Sequence, residues 1–268
     1  MQIIIYDSAQ QVAESAANWV KELIKKKPAP VLGLATGSTP ISLYKQLVEQ
    51  HKNQGLSFKN VTTFNLDEYH QIDPLNPQSY RSFMDENLFN HVDIDMKNTF
   101  LPTCAAGENP RVQGLAYEDN IKKHGGIDLQ ILGIGANGHI GFNEPTSSLS
   151  SRTRIKTLTQ QTITDNSRLF KPNEKQPTMA MTMGIATIMN ARYVLLMATG
   201  TNKANAVKDM ITGGVSAMCP ASALQMHENA IILLDKAAAS ELSEQNYYQW
   251  ADNENRKLIE DYGYFHNY

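Results

Sequence analysis

Short apolar runs of strand length recur along the chain and alternate with stretches of helical period, the pattern that sets helices between the strands of a largely parallel sheet. Ile3 to Tyr6 opens the series, and Ser8 is placed to cap a helix carrying Val12, Ala16, Trp19, Val20 and Leu23 on one face. "PVLGLATGSTP" reads as a strand, a tight turn and a helix start, with Thr39 as the cap and Pro40 in the first turn. "NVTTFNLDEYH" is a β-branched run that ends in acidic and polar groups, and "DLQILGIG", "ARYVLLMATG" and "AIILLDK" are further buried-strand candidates. Helical stretches lie between them, Lys203 to Thr212 among these. The predicted class is α/β: an open, mostly parallel twisted sheet with helices on both faces, Rossmann-like, in a single domain over residues 1–268. Thr146 to Pro177 breaks the pattern, being long, polar and poor in period. Such an excursion is either a plain surface loop or an active-site cover, and a lid over about 158–180 is expected.

Composition narrows the partners. A chain of 268 residues that is 41% hydrophobic can bury a full core, and its net charge of -3 comes without a clustered basic face, so neither nucleic acid nor an anionic membrane is expected as a partner. The run Lys25-Lys26-Lys27 reads as a solvated helix end. Cys104 and Cys219 lie far apart and outside any zinc-ligand spacing, so neither a disulfide framework nor a metal is expected and a reducing cytoplasm is favoured. The apolar run at the N-terminus is too short for a signal peptide or a membrane span, and the mature protein is expected to begin there.

In open parallel sheets ligands bind beyond the carboxyl ends of the strands, so the residues that follow each run carry the candidate chemistry. In "ATGSTP", Gly37 permits a turn and the hydroxyls of Ser38 and Thr39 join free backbone N–H groups at a helix start, a setting for a phosphate that lacks P-loop spacing. In "FNLDEYH", Asp67 and Glu68 are candidates for a base that takes a C–H proton, or else helix caps. "QILGIGANGHIGFNEP" places Gly133, Gly135 and Gly138 at the spacing of a dinucleotide fingerprint. Its continuation argues against a nucleotide: Gly141 and Pro145 make a poor helix, and Leu158 stands where a ribose-binding acid belongs. What remains is a glycine-flexed loop presenting His139 and Glu144, a pair able to shuttle protons near neutral pH. Arg168, in the polar excursion, and Lys203, after "MATGTN", are either solvated cations or phosphate ligands.

Together, "GLATGSTP", "VTTFNLDEY", "GIGANGHIGFNEP", "SRTRIKTLT", "NSRLF" and "PASALQMH" closely resemble the glucosamine-6-phosphate deaminase family, in order from about residue 30 to about residue 235. The resemblance implies conversion of D-glucosamine 6-phosphate and water into D-fructose 6-phosphate and ammonia without an organic cofactor. It implies that Asp67 is the base for enolisation, that His139 opens the pyranose ring with Glu144 assisting, and that Gly37, Ser38, Thr39, Arg168 and Lys203 hold the phosphate, with a mobile lid around Arg168. One departure matters: Asn137 stands where many members have aspartate, and an amide orients an imidazole without supplying charge, so His139 is expected to depend more on Glu144. Hexameric members bind N-acetylglucosamine 6-phosphate at a subunit interface, and Ser147, Arg154, Lys156 and Thr157 fall on the matching motif, although the tail "DYGYFHNY" does not obviously match those members. That ester is thus the candidate effector and a homo-hexamer the candidate assembly. The competing expectations are a 6-phosphogluconolactonase-like hydrolase, opposed by Asp67 together with Glu144, and a sugar-phosphate sensor domain, opposed by a first strand at Ile3 that leaves no room for a DNA-binding segment.

Overall fold

The computed structural model describes residues 1–167, 170 and 176–264. Its centre is a seven-stranded sheet in the order β1-β10-β9-β6-β2-β3-β5. The strands are β1 (Gln2–Tyr6), β2 (Val31–Leu34), β3 (Thr62–Asn65), β5 (Thr99–Phe100), β6 (Leu129–Leu132), β9 (Tyr193–Ala198) and β10 (Ala230–Asp235). Every pairing among them is parallel. All six apolar runs identified from the sequence are strands of this sheet; the two-residue edge strand β5 carries too short a run to stand out.

Alternate residues of each strand supply two cores. Ile3, Val31, Phe64, Leu132, Val194, Leu196, Ile232 and Leu234 share one cluster with α4 (Pro110–Lys123) and α7 (Ala204–Thr212), while Ile4, Leu32, Leu34, Leu129, Ile131, Leu195, Ile231 and Leu233 share another with α1 (Ala9–Lys26), α2 (Ser38–Gln54) and α3 (Tyr80–Asn87). Covering both faces is what makes these strands near-continuous apolar runs. Ser8 caps α1 as expected, its hydroxyl accepting the Gln11 N–H at 3.3 Å, and the helix buries Val12, Ala16, Trp19, Val20 and Leu23.

Two local expectations need correction. Thr39 is not the cap of α2: Gly37 occupies that position, and Ser38 and Thr39 lie inside the first turn. Proline is tolerated throughout a first turn, where the backbone N–H groups have no helical partner, so Pro40 could not fix the start to one residue. The run "NVTTFNLDEYH" is also not one strand. After β3 the chain leaves the main sheet, and β4 (Asp67–Tyr69) joins β8 (Met179–Thr182) and β7 (Arg154–Thr157) in a separate antiparallel sheet of three short strands. β7 lies inside the polar excursion and β8 follows directly after it, and the two pair with each other. The excursion also contains the helix α5 (Gln160–Ser167). The chain is completed by α6 (Ile185–Met189) and α8 (Gln245–Tyr262). No helix among the described residues is long and apolar enough to cross a membrane.

Candidate active site

From β2 the sheet grows through β3 to β5 at one edge, whereas β6 returns to the other side of β2. The reversal leaves a crevice beyond the carboxyl ends of β2 and β6, the place where open α/β sheets bind ligands. Four neighbouring strands deliver the candidate residues to this edge. Asp67 lies two residues past the end of β3, the Gly37–Thr39 turn follows β2, the His139 loop follows β6, and Lys203 follows β9 in a short 3-10 turn, Thr201–Lys203. Arg168 lies outside the described residues. Cavities of about 380 Å³, beside Lys21 and Gln54, and about 320 Å³, beside Arg192 and Glu228, open near the opposite, amino-terminal ends of the strands and hold none of the candidate groups.

The anion end is built from the backbone. Gly37, Ser38 and Thr39 start the seventeen-residue helix α2, and Gly37 and Ser38 are exposed. Their N–H groups carry the positive end of the helix dipole, which suits a phosphate. Lys203 stands two strands away, across the His139 loop.

Asp67 and Glu68, indistinguishable in the sequence, part company in β4 because successive strand residues face opposite ways. Glu68 is buried and turned to the start of α3, where its carboxylate accepts the N–H groups of Tyr80 and Arg81, both at 3.0 Å, and of Tyr69 at 2.8 Å. It is an anchor for a helix N-terminus. Asp67 is 5% exposed, and burial, with a smaller contribution from the charge of Glu68, pushes its carboxyl up to about 8. The His139 loop runs against it: a Cβ on Gly141 would sit 3.3 Å from Asp67 Oδ2 and 3.0 Å from Thr182 Oγ1, on a backbone with φ of +57°. Thr182, paired with Asp67 across the small sheet, accepts the Phe142 N–H at 3.1 Å and so holds the loop beside the acid.

Within the loop, Asn137, His139 and Glu144 form a closed set. Asn137 Oδ1 accepts from His139 Nδ1 at 2.7 Å, Asn137 Nδ2 donates to Glu144 Oε2 at 2.8 Å, and His139 Nδ1 lies 3.2 Å from the same Oε2. Both neighbours of Nδ1 are acceptors, which assigns the proton to Nδ1 and leaves Nε2 for whatever enters the crevice. Burial alone would raise Glu144; the hydrogen bond to His139 and its charge, followed by hydrogen bonds from Thr162 and Asn137, instead hold its carboxyl down to about 2. The departure at Asn137 thus has a physical account. An acid at this position would face Glu144 at hydrogen-bond distance with like charge, whereas the amide bridges imidazole and carboxylate and moves the negative charge to Glu144.

Behind this set lies a third, small apolar cluster of Tyr69, Phe142, Leu158 and Ala180, with Tyr80, Ile163 and Phe170 packed against it. Tyr80 and Phe142 stack at 6.0 Å, and Phe170 meets Tyr69 edge-on at 5.7 Å. The described part of the expected cover, α5 and Phe170, therefore rests on residues that adjoin Glu68 and the His139 loop. Of the candidate effector residues, Arg154, Lys156 and Thr157 lie along β7, and Ser147 is buried near the loop, its N–H bonded to Glu144 O at 3.0 Å. The Arg154 guanidinium donates to Asn143 Oδ1 at 2.9 Å, which ties β7 to the residue before Glu144. Among the described residues, no cluster of three or more His, Cys, Asp or Glu side chains is arranged to hold a metal ion.

Residues 6–233, from the end of β1 into β10, match the family described as glucosamine-6-phosphate isomerases/6-phosphogluconolactonase. The chain belongs to this family. Its relatives within the family include a glucosamine-6-phosphate deaminase of Colwellia psychrerythraea, 71% identical over the full length of both chains, and one of Pseudoalteromonas translucida, 58% identical over 99% of each. A solved structure described as a monomeric glucosamine-6-phosphate deaminase aligns with 90% of this chain and 100% of its own at 40% identity and a TM-score of 0.86. The 6-phosphogluconolactonase of Trypanosoma brucei shares the fold, with a TM-score of 0.67 at 21% identity over 90% of this chain and 98% of its own.

Sequence reasoning passed over Thr159, Thr162 and Thr182, because hydroxyls acquire a role only through the distant carboxylate or amide they meet; the threonine pair at the start of α5 was the one local signal, a helix cap. It read Gly135 only as part of the glycine spacing that flexes the loop, whereas its Cα lies under the His139 ring, so that an added methyl would collide with the imidazole. Gly135→Ala is expected to turn the ring away from Asn137 and lower kcat on a family substrate by about 10- to 100-fold, the scale for misplacing a reacting group. Steady-state kinetics on purified enzyme tests this, and an unchanged kcat would mean the ring orientation does not matter.

Proposed function

We propose that this protein is a glucosamine-6-phosphate deaminase acting in amino sugar catabolism, converting D-glucosamine 6-phosphate and water into D-fructose 6-phosphate and ammonia. The observation that carries this reading is the placement of the buried, proton-retaining Asp67 directly against a loop that presents the Nδ1-protonated His139. The full-length 71% identity to a deaminase supports it independently. In this reading the phosphate ester rests on the N–H groups of Gly37, Ser38 and Thr39, with Lys203 and Arg168 as counter-charges. His139 Nε2 takes the proton of the anomeric hydroxyl and returns it to the ring oxygen, giving the open aldehyde, and Glu144 balances the imidazolium formed on the way. Ionised Asp67 then removes the proton on C2 and delivers it to C1 through an enolamine, while O1 gains the proton that the amino nitrogen gives up, which turns the amino aldehyde into a C2 ketimine with a C1 hydroxyl. Water adds to that carbon, and the carbinolamine collapses to ketone and ammonia. The base needs proton affinity near the working pH, which burial supplies to Asp67. The route needs no organic cofactor or metal, and the free, buried Cys104 and Cys219 fit a cytoplasmic setting.

A coupled assay for fructose 6-phosphate and ammonia tests the proposal: both products should appear in equal amounts, and their absence would overturn it. A lactonase-like hydrolase would release no ammonia. A regulatory site for N-acetylglucosamine 6-phosphate, built from Ser147, Arg154, Lys156 and Thr157, would draw on the Arg154 N–H donors other than the one bound to Asn143. Velocity curves with and without that ester report on it, together with sedimentation velocity for the hexamer expected to accompany regulation. Lowered half-saturation supports the site, and superimposable hyperbolae remove it.

A further inference from the structure

Glu144 divides its two oxygens. Oε2 faces inward to Asn137 and His139, while Oε1 faces α5, where Thr162 Oγ1 lies at 2.6 Å and Thr159 Oγ1 at 3.4 Å. Each hydroxyl has one proton to give, and the count of donors orders the network. Thr162 gives its proton to the carboxylate, so it can only accept from Thr159 Oγ1, 2.9 Å away. Thr159 Oγ1 in turn accepts the Thr162 N–H at 3.2 Å, closing the first turn of α5. Thr159 has one proton for two acceptors, Thr162 Oγ1 and Glu144 Oε1, and on either choice the hydroxyls of the first turn of α5 aim their protons toward the carboxylate. Thr162 is 9% exposed and Glu144 3%, so the bond between them is shielded from water. Among the described residues, the titratable or charged side chains that face this region include His139 on the same loop, Asp67 across Gly141, and Arg154 on β7, bound to Asn143.

We propose that Thr162 is a positioning residue for the deamination reaction, holding Glu144 in the orientation that supports His139 and making that orientation depend on where α5 sits. Hydrogen bonds to a charged group are the strong class, and this one comes from the cover segment rather than from the loop that carries the acid. The first turn of α5 thereby completes the hydrogen-bond arrangement that sets the Glu144 carboxylate beside His139. The inference rests on the deaminase reading above.

A double-mutant cycle tests it, with deaminase activity as readout. Thr162→Val keeps the shape and removes the hydroxyl; kcat is expected to fall about 5- to 30-fold with KM changed less than about twofold. Thr162→Ser, which keeps the donor, should recover kcat to within about twofold of wild type. In a Glu144→Ala background the same Thr162→Val change should cost less than about 1.5-fold, because the oxygen that accepts its proton is gone. Thr162→Ala, which removes the hydroxyl without setting a methyl against the carboxylate, is run in parallel and must give the same coupling. Equal losses in both backgrounds, or a serine variant as impaired as the valine, would overturn the proposal by showing that Thr162 only stabilises α5. A wild type inactive on glucosamine 6-phosphate would instead remove the deaminase reading.

Discussion

Asp67→Asn abolishes useful turnover and stabilises the protein at the same time. The amide cannot accept the C2 proton, so kcat for deamination falls by about 10³- to 10⁴-fold, the upper range for loss of a general base. The stability change follows from where the proton resides. Folded Asp67 keeps its proton up to about pH 8, whereas an unfolded aspartate releases it near pH 4. Between these values the native state binds more protons than the unfolded chain, so the contribution of Asp67 to stability declines as pH rises through that window. Asparagine does not titrate and carries no such penalty. The variant should therefore gain roughly 1–3 kcal/mol above pH 8, about 3–8 °C in Tm, and show little difference near pH 4. Calorimetry at several pH values, beside the coupled assay, checks both halves. A kcat within tenfold of wild type, or a lower Tm at high pH, would contradict the assignment. The wild-type kcat/KM should also climb with pH below about 8 as Asp67 ionises.

Glu144→Gln gives the second large loss with the opposite effect on stability. Glu144 is the acid bonded to His139, since position 137 carries an amide, and its carboxyl is held down to about 2. Removing that charge leaves the imidazolium formed during ring opening without a counter-ion. Glutamine keeps an acceptor for Thr162, but its amide nitrogen then faces Asn137 Nδ2, and two donors at the present 2.8 Å force Asn137 to turn and release His139. A drop in kcat of about 10²- to 10³-fold is expected. A carboxyl with a lowered folded pKa contributes stability above its unfolded value near 4.5 and loses it as pH falls toward 2. The glutamine variant should melt below wild type at pH 7, and the gap should close in acid. Full kcat in this variant would show that His139 works without the neighbouring charge.

Much of this was legible in the sequence because burial on both faces writes a strand as an unbroken apolar run. Ile3–Tyr6 and "AIILL" were readable as strands on that ground, although nothing local says that they pair with each other. The groups following β2, β6 and β9 were legible for a related reason: polar residues placed abruptly after a buried strand need an external explanation. The small sheet was not, since "RIKT" and "MAMT" are short and lack a clear period, and their pairing with β4 is a contact across the fold. Asp67 and Glu68 could not be told apart until β4 fixed which of them faces the loop and which anchors α3. Thr162 could not be chosen at all, because its role exists only where α5 meets Glu144.

The order of the main sheet also bears on how the chain is made. β1 lies at the sheet edge and its partner there is β10, with Gln2 opposite Ile231. During synthesis the stretch Ile3-Ile4-Ile5 leaves the ribosome more than two hundred residues before the strand that completes its pairing. At about 5–20 residues per second it stays without that edge for roughly 10–45 s. Over that interval the nascent chain carries an aliphatic strand that lacks its sheet partner, an open template for pairing with other chains.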